Sequence, residues 1–291
     1  MAEPVLRPLS LGEILDRTFS LYRRHFLLFV GITAIPHLLI LVLNLWQTVV
    51  MKAPMVTTKG PLGVQVHRPT GASGVMSLGL AWGLVAIAVY LFAYLFSQGG
   101  TIYAVSELYL GRSTTVGESL RRVWGQLGGL FGVVMLNGLA VMGACIFLII
   151  PGIYVACRLI TCVPAALLED LGARESLERS FFLTKDNAGR AFLIYLLYFV
   201  LIYAASLLLM FPLGLALGFY SKDPNMVRIL TGVIQVGTFL IGIVVGPFLL
   251  IATSVFYYDL RVRKEAFDLQ LMMNPSGNIP AATSRIPSLL S

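Results

Sequence analysis

The sequence predicts an all-α polytopic membrane protein of about six transmembrane helices, in three hairpins that each follow an interfacial amphipathic helix. Three observations carry that expectation. Hydrophobic residues make up 57% of the 291-residue chain and charged residues only 12%, about half of the ~25% with which a soluble domain covers its surface. The apolar residues gather into runs long enough for a bilayer, which takes about 20 residues of helix to cross. The charged residues lie between those runs, with Arg158 as the exception.

Taken in order, residues 7–25 place Leu11, Ile14, Leu15, Thr18, Phe19 and Tyr22 at helical spacing, with Glu13, Asp16, Arg17 and Arg23 between them. That pattern is an amphipathic helix suited to the membrane interface. Its acids and the long apolar run behind it separate it from a signal peptide. The first span covers 26–50 and holds Pro36 and His37. A polar loop punctuated by Gly and Pro follows over 52–74. The second span begins near residue 75 and stays uncharged until Glu107, longer than a bilayer needs, which predicts tilt or projection. After a linker at 111–117 and a second amphipathic stretch, the third span runs over 127–150 and ends at Pro151-Gly152, a tight-turn signal. The fourth, 153–168, returns at once and contains Arg158. The charged segment 169–190 leads to the fifth span, 191–220, with Pro212 inside. The sixth, 229–258, holds Pro247 and closes on Asp259-Leu-Arg-Val-Arg-Lys264. Residues 1–268 thus read as a single membrane domain, and 269–291, rich in Asn, Pro, Ser and Ala, as a disordered tail.

Charge distribution orients this arrangement. Six spans put both termini and the second and fourth loops on one side. Of the 21 basic residues, only Lys52, Lys59, Arg68, Lys222 and Arg228 fall on the other side, and Arg158 stays within a span. The remaining fifteen mark the cytoplasmic face by the positive-inside rule, which points to a multi-pass protein of a bacterial cytoplasmic membrane. The net charge of +7 sits beside apolar runs, so anionic lipid headgroups, not nucleic acid, are the expected counter-charge.

A motif recurs three times: Glu13-Ile-Leu-Asp-Arg17-Thr-Phe19, Glu118-Ser-Leu-Arg-Arg122-Val-Trp124 and Glu175-Ser-Leu-Glu-Arg179-Ser-Phe181. Each copy precedes an odd-numbered span. Glu and Arg four apart share a helix face in the favourable order for pairing, and the Leu and the aromatic form a neighbouring apolar stripe. Each hairpin ends on an acid, Glu107, Glu169 or Asp259. The expected unit is an interfacial helix, two spans and an acidic exit, repeated from near residues 10, 115 and 172.

The stretches at 6–17, at Pro151-Gly-Ile-Tyr154 with Arg158, and at 175–185 resemble the membrane domain found fused to some bacterial glycerophosphoryl diester phosphodiesterases and its stand-alone relatives. The likeness spans residues 6–268. It implies the membrane half without the enzyme half, because the phosphodiesterase chemistry belongs to a separate soluble barrel of about 250 residues, and no polar segment here is long enough to form one.

Catalytic signatures are sparse. His25, His37 and His67 have no second ligand or nucleophile at recognisable spacing, and His37 reads as a helix-packing donor. Cys145, Cys157 and Cys162 lie in apolar runs and read as fillers. The pairs Gly79/Gly83, Gly128/Gly132, Gly214/Gly218 and Gly242/Gly246 are spaced for helix contact. No enzyme activity, metal or cofactor is expected. The expected contacts to ligands or lipid headgroups are Arg158, Arg17, Arg122 and Arg179, with Glu13, Glu118, Glu175, Glu107, Glu169 and Asp259 as charge partners. Arg158 is singled out because an arginine inside a span costs roughly 2.5–3.5 kcal/mol on insertion scales. A reach toward the cytoplasm would bring it to Glu107 or Asp259, and its place nearer Pro151 fits a reach toward the exterior at least as well.

Two functions fit. One is a non-catalytic module that binds, organises or handles lipids or phosphate-bearing ligands, or scaffolds partners, with room for a homo-oligomer or a membrane-protein partner. The other is a transporter or channel for a small or lipid-like solute, favoured by the repeats and by Pro36, Pro212 and Pro247.

Overall fold

Local sequence sets ten helices and one β-ribbon, seen in a computed structural model that describes residues 8–50, 55–59, 65–69 and 72–265. They are α1 (Leu11–Arg24), α2 (Phe26–Val50), β1 (Met55–Lys59), β2 (Gln65–Pro69), α3 (Ala72–Tyr109), α4 (Val116–Trp124), α5 (Leu127–Phe147), α6 (Ile149–Arg158), α7 (Cys162–Glu169), α8 (Ala173–Leu183), α9 (Ala188–Phe219) and α10 (Pro224–Glu265). Six segments are long and apolar enough to cross a membrane: Phe26–Thr48, Trp82–Tyr109, Leu127–Phe147, Ile149–Glu169, Ala188–Phe219 and Pro224–Glu265. To these helices the 52–74 loop adds one small element, in which β1 and β2 pair antiparallel with Thr57 opposite His67. The β-branched Val56, Thr57, Thr58 and Val66 suit a pleated ribbon. The rest of that loop and the 269–291 tail lie outside the described residues.

The three motif helices share one plan. Ser10 and Thr115 cap α1 and α4 by accepting the Glu13 and Glu118 amides, and the two glutamates reach back to the cap amides. Gly172 has no such side chain, but its amide still donates to Glu175 at 3.2 Å. The buried stripe lies at the second and sixth motif positions: Ile14 and Thr18, Ser119 and Val123, Ser176 and Ser180. The predicted Leu-aromatic stripe is therefore displaced. Phe19, Trp124 and Phe181 face outward in all three helices, and small buried residues let each helix lie close to its neighbours.

The fourth span departs from expectation twice. The turn between α5 and α6 falls at Leu148, which is extended at φ −165° and ψ 148°, and not at Pro151-Gly152. Pro151 instead occupies the first turn of α6, where its missing amide costs no hydrogen bond. Gly152 is where the two helices touch: a Cβ there would run into the Cys145 sulfur and come within 3.0 Å of the Cys145 Cα. Gly152→Ala must therefore pry the hairpin apart, and a loss of about 1–3 kcal/mol is expected, as for other overpacked sites. An unchanged melting temperature in detergent would disprove the close approach. The helix is then interrupted at 159–161. Pro164 has no amide for the Ile160 carbonyl, so the helix ends early. The Arg158 carbonyl is taken by the hydroxyls of Ser180 and Thr184, both at 2.8 Å.

The described helices divide into two compact units. The larger lies within Met1–Ile32, Leu95–Leu201 and Val245–Ser291. Its core includes Ile14, Phe29, Val105, Ile251 and Phe256, and α4 lies tight on α3, where a Cβ at Gly99 would meet Val123 at 2.8 Å. The second unit comprises Thr33–Tyr94 and Ile202–Val244. There Gln235 donates to the Thr48 hydroxyl at 2.8 Å, and the Asn44 amide to Tyr90 at 3.3 Å. His37 bonds the Thr33 carbonyl through Nδ1 at 2.8 Å. Of the Gly pairs expected at helix contacts, Gly79 lies outside the residues whose packing is described, and the others make one contact between them. Gly83, Gly128, Gly214, Gly218, Gly242 and Gly246 face open space among the described residues, and Gly132 only reaches Ala173.

Candidate functional site

Within the larger unit, each acidic exit, Glu107, Glu169 or Asp259, receives basic or amide groups. Glu118 and Glu175 make no ion pair with Arg122 or Arg179 among the described residues, because their carboxylates are held by the cap amides of Thr115 and Gly172. The arginines turn instead to exit acids.

Glu169 is the centre of the densest group. Its side chain is fully buried, and it takes Arg179 in a two-pronged contact, Nε at 2.8 Å and Nη2 at 3.0 Å. Tyr257 donates its hydroxyl at 2.6 Å and Arg261 Nε stands at 3.7 Å. Glu265 closes the ring, 2.5 Å from Arg179 and 3.0 Å from Arg261. Two arginines and two glutamates are thus mutually neutralised. Burial alone would lower the Arg179 pKa, but the hydrogen bonds and charges of Glu265 and Glu169 outweigh it and hold the guanidinium above its ordinary value. Arg179, a predicted ligand contact, is enclosed by structural partners. Arg261 and Tyr257, missed in the sequence because they sit at the end of an apolar run, complete the group.

Asp259, also fully buried, organises a second group. It accepts the Leu9 amide at 2.6 Å, Arg190 Nη1 at 2.8 Å and Arg263 Nε at 2.9 Å. The same two arginines donate to the Leu9 carbonyl, at 2.6 and 2.5 Å. Both polar groups of one backbone unit are held by one carboxylate and two guanidinium groups, so the residue before the α1 cap is locked to the end of α10.

Glu107 forms the third and most open group. Arg122 contacts it at 2.6 Å and Arg112 at 3.5 Å, with both arginine side chains about half exposed. Arg122 also lies over the Tyr103 ring, 5.3 Å from its centre. These residues, with Ser113, Thr114, Glu118, Ser119 and Arg121, line a cleft of about 620 Å³. Arg17, the remaining motif arginine, donates to the Tyr109 hydroxyl at 3.0 Å, and Tyr109 stacks on Tyr258 next to Asp259.

Arg158 turns toward α8 and meets neither Glu107 nor Asp259 among the described residues. Its Nη2 donates to the Phe181 carbonyl of α8 at 2.5 Å and its Nη1 to the Tyr154 hydroxyl at 3.4 Å. The early end of α6 brings it beside α8. It belongs with the basic residues of that end, and its contacts are a carbonyl and aromatic faces.

Six apolar helices define a multi-pass helical membrane protein. The chain belongs to the family described as the membrane domain of glycerophosphoryl diester phosphodiesterase, whose profile matches residues 133–285, more than half of its 291 residues. The match begins inside α5, so the resemblance read over 6–268 holds from there onward, and the 6–17 stretch lies outside it. No curated protein and no solved structure matches the chain.

Proposed function

We propose that this protein is a non-catalytic module of a bacterial cytoplasmic membrane that binds and organises lipids or other phosphate-bearing molecules at its basic, cytoplasmic end. The observation that carries this reading is the 620 Å³ cleft. An anion entering it meets Arg112, Arg121 and Arg122 against the carboxylates of Glu107 and Glu118, with the hydroxyls of Tyr103, Ser113, Thr114 and Ser119 nearby. Planar guanidinium groups match phosphate oxygens two at a time. The outward Phe19, Trp124 and Phe181 suit the amphipathic rings that collect at headgroup level. Their common place in three helices whose motif glutamate returns to the cap amide supports a threefold repeat of interfacial helix, hairpin and acidic exit.

Two measurements test the reading. Arg121→Gln/Arg122→Gln should lose bound phosphatidylglycerol about 25-fold relative to the unaltered protein, at about 1 kcal/mol for each cation removed. Equal binding by both proteins would refute the cleft as the site. For orientation, a cysteine at Ser113 should be shielded from impermeant thiol reagents in intact cells, whereas one at Ser221 should label; the reverse pattern would invert the topology.

A transporter is the second reading. It draws on Pro36, Pro212 and Pro247 inside α2, α9 and α10 and on the polar Asn44, Thr48 and Gln235 in the second unit. Solute flux in reconstituted vesicles, abolished by Gln235→Leu, would favour it over lipid binding.

A further inference from the structure

Three cations in the larger unit stand apart from the ion-pair groups. Arg158 ends α6, Lys185 follows α8, and Lys264 lies in the last turn of α10. Arg158 Nη2 donates to the Phe181 carbonyl at 2.5 Å and Lys264 Nζ to the Phe182 carbonyl at 2.9 Å. Both are therefore seated on the final carbonyls of one helix, which carry its partial negative charge. Lys185 stands beside them: its backbone amide donates at 3.3 Å to the Phe182 carbonyl that Lys264 also uses, and Asp186 is the acid among the charges around Lys264.

Arg122, Arg179, Arg190, Arg261 and Arg263 all meet carboxylates. Among the described residues, Arg158, Lys185 and Lys264 meet none. Arg158 Nε is moreover a buried donor with no hydrogen-bond partner there, although unsatisfied buried donors are costly. The surround is aromatic: Arg158 lies 5.3 Å from the centre of the Phe181 ring and Lys264 5.3 Å from that of Phe182, and both rings face outward together with Tyr154. Depth agrees with a surface position. Lys185 precedes α9 and Lys264 ends α10, where those spans meet charged chain. Arg158 joins them through its bond to the Phe181 carbonyl of α8, the helix that precedes Lys185 and α9.

We propose that Arg158, Lys185 and Lys264 form one binding site for a phosphate group at the membrane surface, distinct from the Arg122 cleft. It rests on the reading that the basic end handles phosphate-bearing molecules. Two ammonium groups and the remaining N–H donors of the guanidinium would hold the phosphate, and the aromatic rings supply an apolar border for acyl chains.

The test uses the full chain in dodecyl maltoside, titrated with dioleoyl phosphatidylglycerol, dioleoyl phosphatidylcholine or inorganic phosphate and read by native mass spectrometry. Lys185→Gln removes a side chain with no protein partner among the described residues, so folding should be kept. It is expected to weaken phosphatidylglycerol binding about fivefold, and Lys185→Gln/Lys264→Gln about 25-fold. Displacement of the lipid by millimolar inorganic phosphate would assign the site to free phosphate; retention would assign it to the headgroup. Wild-type binding by both variants, or phosphatidylcholine binding as tight as phosphatidylglycerol, would overturn the site. Arg121→Gln/Arg122→Gln is titrated alongside. A loss confined to that variant leaves the lipid reading standing and removes this site, whereas no loss in any variant removes both.

Discussion

Glu169→Gln is expected to destabilise the protein by about 3–5 kcal/mol, the cost of removing one partner from a buried ion pair. The side chain is fully buried and takes both prongs of Arg179 together with the Tyr257 hydroxyl. The amide that replaces it keeps one acceptor oxygen but turns two donors toward guanidinium groups. Arg261, 1% exposed, then loses one of its carboxylates while keeping Glu265 and the Tyr257 hydroxyl. Arg179→Met in the same background should recover part of the loss, because the stranded charge goes with it. An unfolding midpoint within a degree of wild type in mixed micelles would show that the group contributes nothing net. The exposed capping glutamates offer a scale for comparison. Glu175→Gln should cost well under 1 kcal/mol, since Gln also serves at the third helical position of a capping box.

Asp259→Asn should produce a loss of similar size, about 3–5 kcal/mol, with a local signature. Without the carboxylate, Arg190 and Arg263 keep the shared Leu9 carbonyl but lose their counter-charge, and the Leu9 amide is left to whichever atom of the substituted carboxamide faces it. The start of α1 should then come loose before the rest of the unit. Tryptic cleavage after Arg17 and amide exchange through α1 report this, and both should rise severalfold more than the same measurements in α8. Uniform protection across α1 and α8 would mean that the clamp is not what holds the N-terminal helix.

The six spans, the three motif helices and the exit acids were legible in the chain because each is a local pattern: hydrophobic run length, a 3.6-residue period, a charge where a run ends. The interruption at 159–161 was legible too, in Pro164, but the even hydrophobicity of 153–168 masked it. For the same reason Arg158 reads as a residue within an unbroken span, whereas it ends α6 beside α8.

What the sequence by itself determined is which residues are helical, which faces are apolar and where charge is allowed. What only the tertiary structure decided is which charges meet. Glu118 and Glu175 look the same whether they cap a helix or pair with an arginine one turn on, and the start of the helix settles it by offering free amides. Arg17, Arg122 and Arg179 hold one motif position, yet they go to Tyr109, to Glu107, and to Glu169 with Glu265. Their partners come from other helices, up to 92 residues away. A buried charge takes the nearest well-aligned partner that removes it from a low-dielectric surrounding, and nearness of that kind exists only after the helices have packed.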